Sequence, residues 1–231
     1  MLFNETYDVS GGHIDGYSNG PQGPDTPVVL VLQEIFGVNA SIRGTVDRLA
    51  DEGFRAVAPD IYWRQGAGID LNPDAPASRE RAMALMAGYE QTLDQGMDDL
   101  RRIVETLRAK HRRVGVLGYC LGGKLAFLSW LRLDVDAVVS YYGVGMTAFT
   151  NEVDGQQAPL LMHLGKDDPL NPPPAVAQIA AALAPLPNTE IVSHEGVGHA
   201  FARLGGNSYV AAAAQQAEAA TLAFLQRNLQ R

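Results

Sequence analysis

The sequence predicts an α/β fold with a mostly parallel central sheet and helices on both faces. Short apolar runs alternate along the chain with longer segments of helical periodicity, the pattern of strands buried on both faces by crossover helices. The chain has 231 residues, 46% hydrophobic and 19% charged. That is enough for one large domain with a substantial core, and no linker separates two cores, so a single domain is expected over 1–231.

The elements follow in order. Before residue 25, Gly-Gly and Asp-Gly signals predict a small antiparallel hairpin at one sheet edge. Strands are expected at 28–33 (VVLVLQ), 54–59 (FRAVAP), 113–119 (RVGVLGY), 136–143 (DAVVSYYG), 158–165 (APLLMHLG) and 189–194 (TEIVSH). Helices are expected at 40–52, in one long piece from 78 to about 109, and at 121–132, 173–184 and 207–229. The last is Ala-rich but keeps its apolar residues at helical spacing. Residues 62–77, rich in Gly, Pro and Asp, read as the loosest piece.

Composition excludes several function classes. A net charge of −8 and a pI near 5.0 argue against a nucleic-acid or anionic-membrane surface, which needs clustered Lys and Arg. One cysteine rules out an internal disulfide framework and suits a reducing compartment. The start lacks a basic region followed by an apolar run, and no window reaches the roughly 18 apolar residues of a membrane span. A soluble cytoplasmic protein is expected.

In parallel sheets, ligands bind beyond the carboxyl ends of the strands. There the chain places Gln33-Glu34-Ile35, Tyr119-Cys120-Leu121, Asp167-Asp168 and the loop after His194. Gly118-Tyr119-Cys120-Leu121-Gly122-Gly123 has the form G-x-S-x-G with sulfur in place of oxygen, between an apolar strand and a helix. In that setting the turn lifts the nucleophile off the sheet, the Leu121 N–H becomes an oxyanion donor, and the positive helix end favours a thiolate. A lone cysteine is more often a small buried hydrophobe. The strand–turn–helix context favours the nucleophile here.

Such a turn calls for an acid and then a histidine, each after a later strand. APLLMHLG runs into Lys166-Asp167-Asp168-Pro169, and TEIVSH runs into Glu195-Gly196-Val197-Gly198-His199. Asp168 is preferred to Asp167 because it precedes Pro169 and faces the turn. His199, in its glycine-bracketed loop, is preferred to the strand-end His194, while His163 lies within a strand where packing is the default. A zinc site would need several converging ligands, and one cysteine with no His-x-x-x-His pair does not supply them.

These residues carry a resemblance. QEIFGVNASIRGTVDRLADEGFRAVAPDIY (33–62), VGVLGYCLGGKLAFL (114–128), YYGVG (141–145), GKDDPLNPP (165–173) and GHAFARLGGNSYVAAAA (198–214) resemble the dienelactone hydrolases of the α/β-hydrolase superfamily. The resemblance implies that fold, with Cys120 as nucleophile, His199 as base and Asp168 as its orienter. The intervals of 48 and 31 residues between them agree with the family's spacing. It places Glu34 beside the thiol and makes the N–H of Ile35 the second oxyanion donor. A free thiol of pKa about 8.5 is only roughly 3% thiolate at pH 7. The resemblance implies a thiol that rests protonated until bound substrate lets Glu34 take its proton.

Family substrates are small unsaturated lactones whose free carboxylate is held by two arginines. The resemblance points to Arg203 of HAFAR and to Arg79, with Arg81 as the alternative, in SRERAMALM. Phe36 and Tyr142 are candidates to line the pocket, though packing is their first role. Met83 and Met86 stand where aromatic residues are usual, and Ala200 replaces a hydroxyl residue, so the acyl group accepted is open. The implied reaction is hydrolysis of a small carboxylated lactone through a cysteine acyl-enzyme, with no metal or organic cofactor and only a small-molecule substrate as partner. A monomer or weak homo-oligomer is expected. A broader carboxylesterase or thioesterase, and a non-catalytic ligand binder or redox sensor, are the alternatives.

Overall fold

A computed structural model describes residues 3–230 of the chain, which divides between Gly115 and Val116 into two compact units. In the first, Glu5–Val9 (β1) and Gly12–Asn19 (β2) form the expected hairpin, with Val9 opposite Gly12. Gly11 makes its tight turn possible at φ 83. Val28–Leu32 (β3) pairs parallel with Arg55–Pro59 (β4), and β2 pairs antiparallel with β4, giving the order β1-β2-β4-β3. Every residue of β3 and β4 is buried, which accounts for their unbroken apolar runs.

Ala40–Asp51 (α1) starts at Asn39, whose side chain accepts a hydrogen bond from the Ile42 N–H at 3.2 Å. Ile42, Val46 and Leu49 form its buried stripe. The long helix expected from 78 to about 109 is instead two, Pro76–Gln91 (α2) and Leu93–Arg108 (α3). The break falls at Thr92, with φ −122 and ψ 30. Beyond it, a Cβ on Gly96 would collide with the Tyr89 ring, so the bare glycine lets α3 fold back against α2. The 62–77 stretch is also better tied than its composition suggests. The buried Asp60 carboxylate accepts from the N–H groups of Tyr62 (3.2 Å) and Gly68 (2.7 Å), and Asp70 pairs with Gly37 and with Arg43.

Val114–Tyr119 (β5) leads into the second unit, where the order is β5-β6-β7-β8. Ala137–Tyr141 (β6), Leu160–Gly165 (β7) and Thr189–His194 (β8) run parallel. Leu121–Arg132 (α4) is buried from Leu121 through Trp130, Lys124 and Ser129 included. Pro173–Leu183 (α5) and Ala211–Leu229 (α6) match the expected helices, except that α6 begins four residues later than expected, after Val210. A short 3₁₀ segment, Met146–Glu152, has no counterpart in the sequence reading. The architecture is the expected one, a mixed and mostly parallel central β-sheet flanked by α-helices, the α/β-hydrolase fold.

Candidate active site

Cys120 sits between β5 and α4 at φ 55 and ψ −112, a backbone state that L-residues avoid. Two main-chain bonds impose it: the Cys120 N–H donates to the Tyr141 carbonyl at 3.0 Å, and its own carbonyl accepts from the Lys124 N–H at 3.1 Å. The flanking glycines are required by space. A Cβ on Gly118 would collide with the Gly122 carbonyl, and one on Gly123 would stand 2.6 Å from the Tyr141 carbonyl. Leu121 opens α4, where N–H groups have no partner within the helix. Cys120 is 6% exposed.

Asp168 lies three residues beyond β7 with a fully buried carboxylate. Its Oδ1 accepts from the Leu170 N–H at 2.9 Å. Oδ2 accepts from Asn171 Nδ2 at 3.1 Å and from His199 Nδ1 at 2.8 Å. Asp167, its neighbour, is exposed. His199 reaches Asp168 because the loop after β8 lies directly against the end of β7. The Asp167 N–H donates to the Val197 carbonyl at 3.0 Å.

The electrostatics follow from these contacts. Burial alone would raise the Asp168 carboxyl, but hydrogen bonds from His199, Asn171 and the Leu170 N–H outweigh it and hold it below the usual range. Burial also opposes charge on His199. The hydrogen bond to Asp168 and the neighbouring Cys120 overcome this, and the ring is pushed up to about 10. Its Nε2 is buried and makes no complete hydrogen bond, although Cys120 acts on the ring.

Of the remaining candidates, Tyr142 is fully buried at φ 36, its ring edge-on to His199 with centroids 5.1 Å apart. Arg203 is 9% exposed, four residues past His199. Glu34, Ile35 and Phe36 are buried just after β3 in the first unit. Arg79 and Arg81 lie in α2 of that unit and are both exposed, so exposure does not separate them; Met83 is exposed and Met86 half-buried. His194, the rival base, is engaged elsewhere in the second unit. Its ring is buried and bonded to His163, with Nε2 3.1 Å from His163 Nδ1. That pairing was not signalled by the sequence, nor was the left-handed backbone of Ala200 at φ 62, which turns the chain directly after His199. Among the described residues no three His, Cys, Asp or Glu side chains converge as metal ligands, and no helix is long and apolar enough to cross a membrane.

A strained residue on a strand–helix turn, with an acid and a histidine on loops after later parallel strands, defines the α/β-hydrolase class. Within it, the chain belongs to the dienelactone hydrolase family, which it matches over residues 14–229. It is 38% identical over 225 residues to the carboxymethylenebutenolidase of Pseudomonas putida, covering 96% of this chain and 93% of that protein. Carboxymethylenebutenolidase 1 of Cupriavidus pinatubonensis is 36% identical over 219 residues, covering 94% of this chain and 92% of its own. The fold is shared with a dienelactone hydrolase-like promiscuous phosphotriesterase from metagenomic libraries, with a TM-score of 0.81, 20% identity and 96% of each chain covered.

Proposed function

We propose that this enzyme opens a small carboxylated lactone through a cysteine acyl-enzyme, with Cys120, His199 and Asp168 as its triad. As a member of its family it is a carboxylic ester hydrolase acting on a small lactone. The observation that carries the finer reading is the 2.8 Å His199–Asp168 bond beside a strained cysteine.

Glu34 takes the thiol proton, which leaves the proton on His199 available to the departing group. The thiolate attacks the lactone carbonyl carbon, and the N–H groups of Leu121 and Ile35 hold the oxyanion. The ring C–O bond breaks, and the departing enolate oxygen takes a proton from the His199 imidazolium. Neutral His199, held by Asp168, then removes a proton from water as its oxygen attacks the acyl carbon. The C–S bond breaks, the thiolate is released, and Glu34 returns its proton.

Arg203 and Arg79, with Arg81 as the alternative to the latter, bind the substrate carboxylate, and Phe36 and Tyr142 line the pocket. The chain acts as one domain, a monomer or weak homo-oligomer in the cytoplasm, with no nucleic-acid or membrane partner, in keeping with its acidic composition. The test is a panel of lactones and esters, with and without a free carboxylate, on wild type and Cys120→Ala. A stoichiometric burst of enol product is expected from wild type alone. Equal rates for the two proteins would defeat the reading.

A further inference from the structure

Behind the triad, four side chains of the second unit form a continuous buried line. The Tyr141 hydroxyl is 2.7 Å from Thr221 Oγ1, which is 3.1 Å from His163 Nε2, and His163 Nδ1 is 3.1 Å from His194 Nε2. His163 is fully buried and His194 is 3% exposed. A buried ring nitrogen left without a partner is costly, so the hydrogens in this line are constrained. Each link needs one hydrogen. Thr221 Oγ1 can accept from Tyr141 and His163 at once, but with both rings neutral the link between the histidines has only two states: His163 Nδ1–H donates to His194 Nε2, or His194 Nε2–H donates to His163 Nδ1. The tautomers of the two rings are therefore set together. Burial disfavours charge on both, and His163, which also faces His194, is held down to about 3.

The same residues brace the site through their main chains. The Tyr141 carbonyl takes the Cys120 N–H at 3.0 Å, the His163 carbonyl takes the Tyr142 N–H at 2.7 Å, and the His194 carbonyl takes the Lys166 N–H at 2.9 Å. A second path runs through rings. His194 contacts Phe201 at 4.8 Å between centroids, Phe201 contacts Tyr142 at 5.6 Å, and Tyr142 contacts His199 at 5.1 Å. His194 thus stands where β8 gives way to the loop carrying His199, tied on one side to the buried line and on the other to the aromatic wall of the site.

We propose that His194 is a positioning residue for the hydrolysis: its bond to His163, continued through Thr221 to Tyr141, fixes the start of the 195–201 loop and so the pose of His199 between Asp168 and Cys120. A fully satisfied buried network of this kind selects one arrangement where apolar packing would allow several. The inference rests on the reading of His199 as the partner of Cys120.

The test compares His194→Phe, which keeps a ring against Phe201 but loses the nitrogen, with His194→Gln, whose amide can occupy the Nε2 position. Thr221→Val cuts the line at its far end and His199→Ala serves as reference. The readouts are kcat and KM on a hydrolysed ester, and the NMR signal of the His199 Nδ1 proton well below the unfolding temperature. His194→Phe should lower kcat roughly 10-fold, equivalent to about 1.4 kcal/mol, with KM little changed and the His199 signal shifted. His194→Gln should recover most of this loss. Thr221→Val should act in the same direction but more weakly, and it carries the test if His194→Phe does not fold. Unchanged kcat and an unmoved His199 signal in both folded variants would overturn the proposal, as would a Gln variant no better than Phe. If His199→Ala were active, the triad reading would fall with it. An inactive His199→Ala beside fully active His194→Phe and Thr221→Val would defeat the positioning role alone.

Discussion

Gly165, the last residue of β7, lies so close to Val197 that a Cβ on it would stand 2.5 Å from the Val197 carbonyl and 2.8 Å from that of Gly198. This approach brings the His199 loop onto the strand end that carries Asp168. Gly165→Ala cannot be accommodated without moving the loop. Overpacking of this kind costs about 1–3 kcal/mol of stability, and a displacement near 1 Å at a reacting group costs on the order of 10²-fold in rate. Urea unfolding and kcat measured on the same variant check both effects; an alanine variant with wild-type turnover would show that the loop is not held by this contact.

Cys120→Ala should abolish turnover while leaving the fold intact, because the side chain is small and its strained backbone is imposed by the bonds to Tyr141 and Lys124. Iodoacetamide labelling should parallel inactivation one to one. His199→Ala should cost about 10⁴-fold, the scale seen when one member of a triad is lost, far beyond the effect of changing His194. Full activity after labelling, or equal losses at the two histidines, would reassign the site.

The fold was legible where burial and periodicity coincide. β8 begins and ends where TEIVSH does, at Thr189 and His194. β6 stops at Tyr141, short of the expected 143, because Tyr142 adopts φ 36, a strain that no propensity signals. β7 begins at Leu160 rather than 158, and the Ala158 carbonyl is taken by the Trp130 indole at 2.7 Å. The single long helix failed at Thr92, since α2 and α3 read locally as one helical stretch and only tertiary packing on Tyr89 separates them. Asp168 and His199 were legible from their places after strands. The His163–His194 bond was not, because the two lie 31 residues apart on different strands and meet only through the β7–β8 register, which sets Gly165 opposite His194.

That buried pair gives stability a definite pH dependence. Burial lowers both rings, and the adjacent His194 makes a charge on His163 still less favourable, holding it down to about 3. Below about pH 6.5 the unfolded chain binds protons that the folded one excludes, so stability falls as pH falls. Each histidine contributes up to about 1.36 kcal/mol per pH unit to that slope. His194→Gln should therefore flatten urea-derived stability below about pH 6.5 by up to one proton; an unchanged slope would place the linkage elsewhere. His199 acts in the opposite sense. Its folded pKa is raised, chiefly against burial by Asp168 and Cys120, so its contribution is complete below about pH 6.5 and is lost as pH climbs through about 10.

Glu34→Gln should lower turnover while leaving stability nearly unchanged. The variant loses the proposed acceptor of the thiol proton yet keeps a polar side chain of the same shape. Unaltered kinetics between pH 5 and 9 would reduce Glu34 to a strand-end charge.

Arg203 separates substrate classes. A charge-assisted hydrogen bond is worth about 1.5–3 kcal/mol, with bidentate arginine–carboxylate pairs at the upper end. Arg203 is 9% exposed and close along the chain to His199, so water competes little for its guanidinium. Arg203→Met should cut kcat/KM roughly 10- to 150-fold for a carboxylated lactone, since each 1.36 kcal/mol is tenfold. A neutral ester forms no such pair, and its rate should fall little or rise. If carboxylate binding also drives the thiol proton to Glu34, the loss will appear in kcat as well as KM. Arg79→Met should repeat the pattern, with Arg81→Met as the control on the same helix. Equal losses on charged and neutral substrates would indicate general damage to the fold and defeat the clamp.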